Sequence, residues 1–356
     1  MKIAISTGGG DAPGLNAVIR GAVLAAVNRG WECVGIRRGF DGLLDEGEGV
    51  IPLGPNEVRG ITHLGGTILG TTNRGDPFRW RDKRLDGSTV ERDRSQELIA
   101  AFRKAGIDAL IAIGGDGTLG IAWRIMQMGI PVVGVPKTID NDVGGTVATF
   151  GFDTAVATAT DAIDKVHSTA ESHERVMVVE VMGRNAGFIA LNSGLAGSAD
   201  VILIPEIPFD IEKVCDKIRE REAAGRHFSI VVVAEGAMPA GGHEVYKDQA
   251  HHRLGGISEL VAADIEKRTG KETRSLVLGH LQRGGSPTTF DRLLGLRFGA
   301  AAVRLVAARR FGTMVALQPP HVVPVPIQEA LTQPKRVALD SDTIATARDL
   351  GICLGD

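Results

Sequence analysis

Short apolar runs recur along this chain, each closed by a glycine- or proline-bearing turn and followed by a stretch with apolar positions at helical spacing. KIAIST (2–7), CVGIRR (33–38), DALIAI (108–113), PVVGV (131–135), VILIP (201–205) and SIVVVAEG (229–236) are such runs. None alternates apolar with polar residues, so each reads as a strand covered on both faces, as in a parallel sheet. HERVMVVEVMGRNAG (173–187) and RSLVLGHLQRGGSP (274–287) read as strands that run into polar turns. Helices are predicted over 16–29, stopped by Gly30, and over 93–105 through Leu98, Ile99 and Phe102. Others run through Ile121, Ile125 and Met128 and over 153–171, 185–197, 211–223 and 289–310. Residues 65–78 and 237–256 show neither period and read as loops, and the tail beyond Pro334 reads as a closing helix or strand. This alternation predicts an α/β fold with parallel sheets flanked by helices. A single sheet holding every strand would be long, so the strands divide between two Rossmann-like lobes.

Composition narrows the function. The 356 residues are 43% apolar and 23% charged, an ordinary globular balance, and the net charge of −3 gives no reason to expect a nucleic-acid partner. No uninterrupted apolar span of about 20 residues occurs, which argues against a membrane partner. The opening MKIAISTGGG is too short an apolar run for a secretion signal. The three cysteines are scattered, lack metal-ligand spacing and suit a reducing cytoplasm. The 47 glycines come in clusters, as repeated close approach of backbone to a ligand requires.

The densest chemistry is GVPKTIDND, Gly134 to Asp142. Pro136 ends a strand. Lys137, Thr138, Ile139, Asp140, Asn141 and Asp142 then fall at its carboxyl end, where open α/β sheets bind ligands. On extended backbone Asp140 and Asp142 would point to one side. One could accept a proton while the other holds a hydroxyl or a metal's water shell. The plainer alternative is a polar loop capping a helix. GGGDAPGLN (8–16) aims backbone N–H groups and a helix start at an anion, yet it is neither G-x-x-x-x-G-K-[ST] nor G-x-G-x-x-G. GGDGT (114–118) repeats the device: Asp116 suits Mg²⁺, and Thr118 either caps the following helix or bonds a phosphate. In the second half, Arg175, Arg184, Glu235, Arg274, His280 and Arg283 sit at strand ends and suggest an anion pocket on one lobe, with acid and metal chemistry on the other. His251 and His252 read as solvated loop residues.

GGGDAPGLN, GGDGT, PKTIDND, MGR and GHLQRGGSP, in that order over residues 1 to about 310, resemble the 6-phosphofructokinases. The resemblance is to bacterial members of the subgroup that mixes ATP-type and pyrophosphate-type residues around PKTIDND. It implies a donor lobe of residues 1–150 with about 282–332, a fructose 6-phosphate lobe of about 151–281 with 333–356, and an active site in the cleft between them. It implies transfer of a γ-phosphoryl group to the 1-hydroxyl of fructose 6-phosphate in glycolysis. Asp140 would be the general base, Asp116 would hold Mg²⁺, and Gly10, Asn73 or Arg74, Gly115, Asp116, Gly117 and Thr118 would cradle the donor. Thr138, Ile139, Asp140, Asp142, Met182, Gly183, Arg184 and Glu235 would line the sugar phosphate, and His280 and Arg283 its 6-phosphate. Residues matching Arg175 and Arg274 reach in from a neighbouring subunit in bacterial members, which implies a homodimer or homotetramer.

The resemblance assigns the donor to two positions. Pyrophosphate users carry a second Asp where this chain has Gly117, and a Lys where it has Lys137. Asp there would crowd and repel the α-phosphate of ATP, so Gly117 outweighs Lys137 and the expected donor is ATP. Leu24, His167 and Ala224 stand where regulated members carry effector-binding arginines, so strong control by ADP or phosphoenolpyruvate is not expected. Three rivals remain: a pyrophosphate-dependent enzyme, a GGDGT kinase acting on NAD or a lipid, and a sugar-phosphate-binding protein without catalysis. The last does not need Asp116, Asp140 and Asp142 together.

Overall fold

The computed structural model describes residues 1–44, 49–73, 75–83, 87–248 and 253–356. Arg74, His251 and His252 lie outside the described residues. The chain forms two compact units. The first comprises 1–138, 143–153 and 283–334, and the second 139–142, 154–282 and 335–356.

The sheet of the first unit has seven strands among the described residues. Their order across the sheet is His321–Pro326, Thr313–Gln318, Val132–Pro136, Ala109–Gly114, Lys2–Thr7, Glu32–Ile36 and Val50–Pro52. The inner five are parallel, and the two edge strands run antiparallel. Ala109–Gly114 and Val132–Pro136 are buried at every position, which is why they carry no alternation. Odd and even positions face different cores. Ile3 and Ile5 pack with helices Leu15–Val27 and Thr289–Ala307, whereas Ala4 packs with helices Ser95–Lys104 and Asp116–Gln127. The first two helices approach closely. A Cβ on Gly299 would lie 2.2 Å from the Val18 carbonyl oxygen, and one on Gly21 2.6 Å from that of Leu296. Two features escape the periodicity. Pro324 and Pro326 make His321–Pro326 an edge strand, the only kind that tolerates the missing N–H groups. Trp80–Lys83 pairs with Thr89–Arg92 as a hairpin whose polar sequence gives no apolar face to read.

The sheet of the second unit is parallel throughout, in the order Thr273–Val277, Val176–Val181, Ser229–Ala234, Val201–Leu203. Helices Ile211–Ala223 and Ile257–Thr269 share one core with it. The latter helix is absent from the sequence reading. Its amino end is fixed by the buried Glu180 carboxylate, which accepts from the N–H of Gly256 and of Ser258 and from the Ser258 hydroxyl. The predicted loop 237–256 contains a short hairpin, Tyr246–Asp248 with Arg253–Leu254. In the run 274–287 the strand is Thr273–Val277, and the polar turn after it is a 3₁₀ turn, Gly279–Arg283. The tail adds helix Asp342–Asp349, capped by Ser341, and then closes the sheet edge. There the Cys353 N–H bonds the Asp200 carbonyl at 3.0 Å, and the Cys353 carbonyl accepts from Ile202 at 2.9 Å.

Candidate active site

In the first unit the predicted donor residues follow three adjacent parallel strands. The Gly8–Gly10 turn leaves strand Lys2–Thr7, Gly115 to Thr118 leave Ala109–Gly114, and Lys137 and Thr138 leave Val132–Pro136. The Gly8 N–H bonds the Ile113 carbonyl and the Gly9 N–H that of Thr72, while the Thr71 hydroxyl donates to the Gly9 carbonyl at 2.6 Å. Buried Asn16 orders the aperiodic loop nearby: its amide donates to the Leu64 and Gly65 carbonyls and accepts from the Ile68 N–H. The Thr7 hydroxyl donates to the Gly70 carbonyl. Asn73 is exposed beside this loop.

Asp116 opens helix Asp116–Gln127 and is exposed. Among the described residues no group of three His, Cys, Asp or Glu side chains could hold a metal by itself. A single exposed carboxylate at a helix start fits Mg²⁺, which is commonly held by one or two carboxylates together with phosphate oxygens and water. Gly117 faces open space, with no atom within 4 Å of a Cβ added there. Thr118 does not cap the helix, a correction to one of its two expected roles. It lies inside the helix, and its Oγ1 would be 2.7 Å from a Cβ on Gly8 and 2.6 Å from one on Gly114. Two glycines therefore make room for one threonine. Lys137 is buried, its Nζ 3.3 Å from the Cβ position of Gly9. Arg283 joins this unit too. Its guanidinium donates to the Asp11 carbonyl at 3.3 Å and lies 3.0 Å from the Cβ position of Gly10. The expected separation of acid chemistry from arginines is thus not kept at this residue.

In the second unit, Asp140 and Asp142 are half-buried. Between them Asn141 has φ 55°, the left-handed region. The backbone is not extended there, so the period-two argument for a shared side fails. The Ile139 side chain is fully buried, leaving only its main chain able to meet a ligand. Met182 to Arg184 follow strand Val176–Val181, Glu235 follows Ser229–Ala234, and His280 lies just past Thr273–Val277; these are neighbouring parallel strands. Their turns are tied together. The Met182 N–H donates to the Gln282 side chain at 3.3 Å, the Gln282 amide donates to the Gly279 carbonyl, and the Gly236 N–H donates to that of Gly183. Arg184 and His280 are exposed.

Arg175 and Arg274 do not join that cluster. Arg175 precedes Val176–Val181 and Arg274 is second in Thr273–Val277, so both stand at the amino edge of the sheet. Glu272 pairs with both, at 2.9 Å to Arg175 Nε, and the Arg175 hydrogen bond holds its carboxyl below the usual range.

Residues 2–306 match the phosphofructokinase family. The chain belongs to that family. It is 54% identical over its full length to the ATP-dependent 6-phosphofructokinase of Chloroflexus aggregans, covering 98% of that protein. It is also 53% identical, over 95% of its length and 96% of the relative's, to the pyrophosphate–fructose 6-phosphate 1-phosphotransferase of Streptomyces coelicolor. Among solved structures, Pichia pastoris phosphofructokinase superimposes with a TM-score of 0.81 at 30% identity over 99% of this chain; the chain spans 37% of that longer subunit.

Within the phosphofructokinase family, overall identity therefore does not separate the two donors, and individual residues must. Gln282 and Asn16, which tie these turns and loops together, are organisers that the sequence motifs did not mark. Gln282 lay in plain view inside GHLQRGGSP but reads as any polar turn residue. Among the described residues no helix is long and apolar enough to cross a membrane.

Proposed function

We propose that this phosphofructokinase phosphorylates fructose 6-phosphate at its 1-hydroxyl, with Mg-ATP as donor, to give fructose 1,6-bisphosphate and ADP. Asp140 accepts the hydroxyl proton as the oxygen attacks the γ-phosphorus, a role contributing roughly 10²–10⁴-fold when well placed. Mg²⁺ held at Asp116 would neutralise charge on the donor phosphates. The N–H groups of the Gly8–Gly10 turn and of Gly115 to Thr118 cradle those phosphates. Met182, Gly183, Arg184, Glu235 and Asp142 hold the sugar, and His280 and Arg283 its phosphate. Positioning and charge neutralisation then supply most of the rate, as in phosphoryl transfer generally.

The observation that carries the choice of donor is the open space at Gly117, which leaves room for the α-phosphate of ATP. One specific observation favours the rival: the buried Lys137 amine stands beside the Gly9 turn, where added positive charge suits pyrophosphate. Attraction at Lys137 serves either donor, whereas exclusion at position 117 acts against one, so ATP is the stronger reading. The place of Arg175 and Arg274 at the amino edge of the sheet, away from the residues at its carboxyl edge, supports a homo-oligomer in which they serve a neighbouring subunit's site. The three free cysteines suit the cytoplasm. The test supplies fructose 6-phosphate and Mg²⁺ with ATP or pyrophosphate separately. Turnover with ATP supports the reading; turnover with pyrophosphate alone means Lys137 decides. No turnover with either points to a binding protein or to another sugar phosphate as substrate.

A further inference from the structure

The chain returns to the second unit at Lys335, and it returns onto the catalytic segment. The Lys335 N–H donates to the Asp142 carbonyl at 2.9 Å. The Lys335 ammonium lies 5.0 Å from the ring centroid of Phe188, the first residue of helix Phe188–Ala196, which follows the MGR turn. Two residues on, the Val337 N–H donates to the Glu206 carboxylate at 2.9 Å. The same carboxylate accepts from the Gly187 N–H, 3.1 Å from each oxygen. One short stretch of tail thus touches the segment that carries Asp140, at Asp142, and the start of the helix after the MGR turn, at Phe188 directly and at Gly187 through Glu206.

We propose that Lys335 is a positioning residue for the sugar phosphate, its main chain and ammonium holding the Asp142 end of the catalytic segment beside the helix that starts at Phe188. The inference rests on the functional reading above. Asp142 is a charged group that acts on the ammonium. Helix Phe188–Ala196 carries no titratable side chain, the Glu206 carboxylate is directed at main-chain N–H groups, and Arg336 is exposed. Burial brings the Lys335 amine down to about 8, against the opposing pull of Asp142. Its charge is therefore lost as the pH passes about 8, and the ammonium's share of the hold on Asp142 with it, while the main-chain bond persists.

Stability moves the other way. Between about 8 and the ordinary 10.5 the unfolded chain binds more protons at this group than the folded one, so folding gains as pH rises through that window. A purely structural lysine would make substrate affinity follow stability; a positioning lysine makes the two diverge.

The experiment measures KM for fructose 6-phosphate and for ATP, kcat and melting temperature from pH 7 to 9.5 in the wild type, Lys335→Arg and Lys335→Met. At pH 7.5, Lys335→Met should raise KM for fructose 6-phosphate roughly tenfold, the loss of one charge-assisted contact, with KM for ATP within about twofold. Lys335→Arg should stay near wild type. Above pH 8 the wild-type KM for fructose 6-phosphate should climb relative to that of Lys335→Arg, whose charge persists. Wild-type turnover with an unchanged KM in Lys335→Met, or a KM that tracks melting temperature across the series, would overturn this inference alone. Absence of wild-type turnover would overturn the functional reading and this inference with it.

Discussion

Replacing Gly117 with Asp separates donor choice from folding. Position 117 lies in the first turn of helix Asp116–Gln127, its φ is not in the left-handed region, and an added Cβ meets nothing within 4 Å. The folded chain therefore accepts the new side chain without moving. Removing a helical glycine recovers a few tenths of a kcal/mol of propensity. A carboxylate in the first turn adds about 0.3–1 kcal/mol through the helix dipole, partly offset by repulsion from neighbouring Asp116. Stability should rise slightly, and the melting temperature should move by no more than a few degrees.

The donor feels the same carboxylate as a like charge. At about 5 Å from an α-phosphate oxygen, with an effective dielectric of about 20, the repulsion is roughly 3 kcal/mol. That corresponds to a fall of about a hundredfold or more in kcat/KM for ATP. Pyrophosphate has no α-phosphate to displace, so any turnover with it should fall far less. The assay compares kcat/KM for both donors at saturating fructose 6-phosphate, alongside a melting curve. An ATP kcat/KM within threefold of wild type in a fully folded Gly117→Asp protein would refute the steric and electrostatic reasoning. A collapsed melting temperature would refute the claim that the position is open.

Asp140→Asn removes the base but little volume, so kcat should fall by roughly 10²–10⁴-fold while fructose 6-phosphate still binds, as titration calorimetry would show; full turnover would restore the binding-protein reading. Arg274→Ala and Asp140→Ala should each be nearly inactive alone, yet recover activity when their subunits are mixed and exchanged. Exchange without recovery would remove Arg274 from a neighbour's site. Gly299→Val places its Cβ near 2.2 Å from the Val18 carbonyl oxygen, so helices Leu15–Val27 and Thr289–Ala307 must separate. The cost should be about 3 kcal/mol, read as a lower urea midpoint, and an unchanged midpoint would mean the pair packs more loosely than described.

What the sequence disclosed, and what it withheld, follows from how each residue acts. The inner strands were legible because both faces are covered, so KIAIST and DALIAI carry unbroken apolar runs without alternation, and their ends were legible because glycines and acids cluster there. The strand HVVPVP was not, since its prolines argue against any strand until its place at a sheet edge is known. Asp116 and Asp140 could be singled out because each stands just past its own strand end. Their surroundings could not. Asn141 enters the left-handed region with no glycine to announce it, and that one dihedral undoes the simplest account of how Asp140 and Asp142 share a side.

Arginines at strand ends looked alike in one dimension, although Arg184 follows its strand and Arg175 precedes its own, which puts them at opposite edges of the same sheet. Lys335 is the extreme case. Nothing near it in the sequence carries chemistry, and its role depends wholly on the chain returning to pair with Asp142. A strand end advertises the residue that does the chemistry, because glycine and charge must be local to it. The residues that hold it still are recruited from wherever the fold brings them, and only the packing shows which they are.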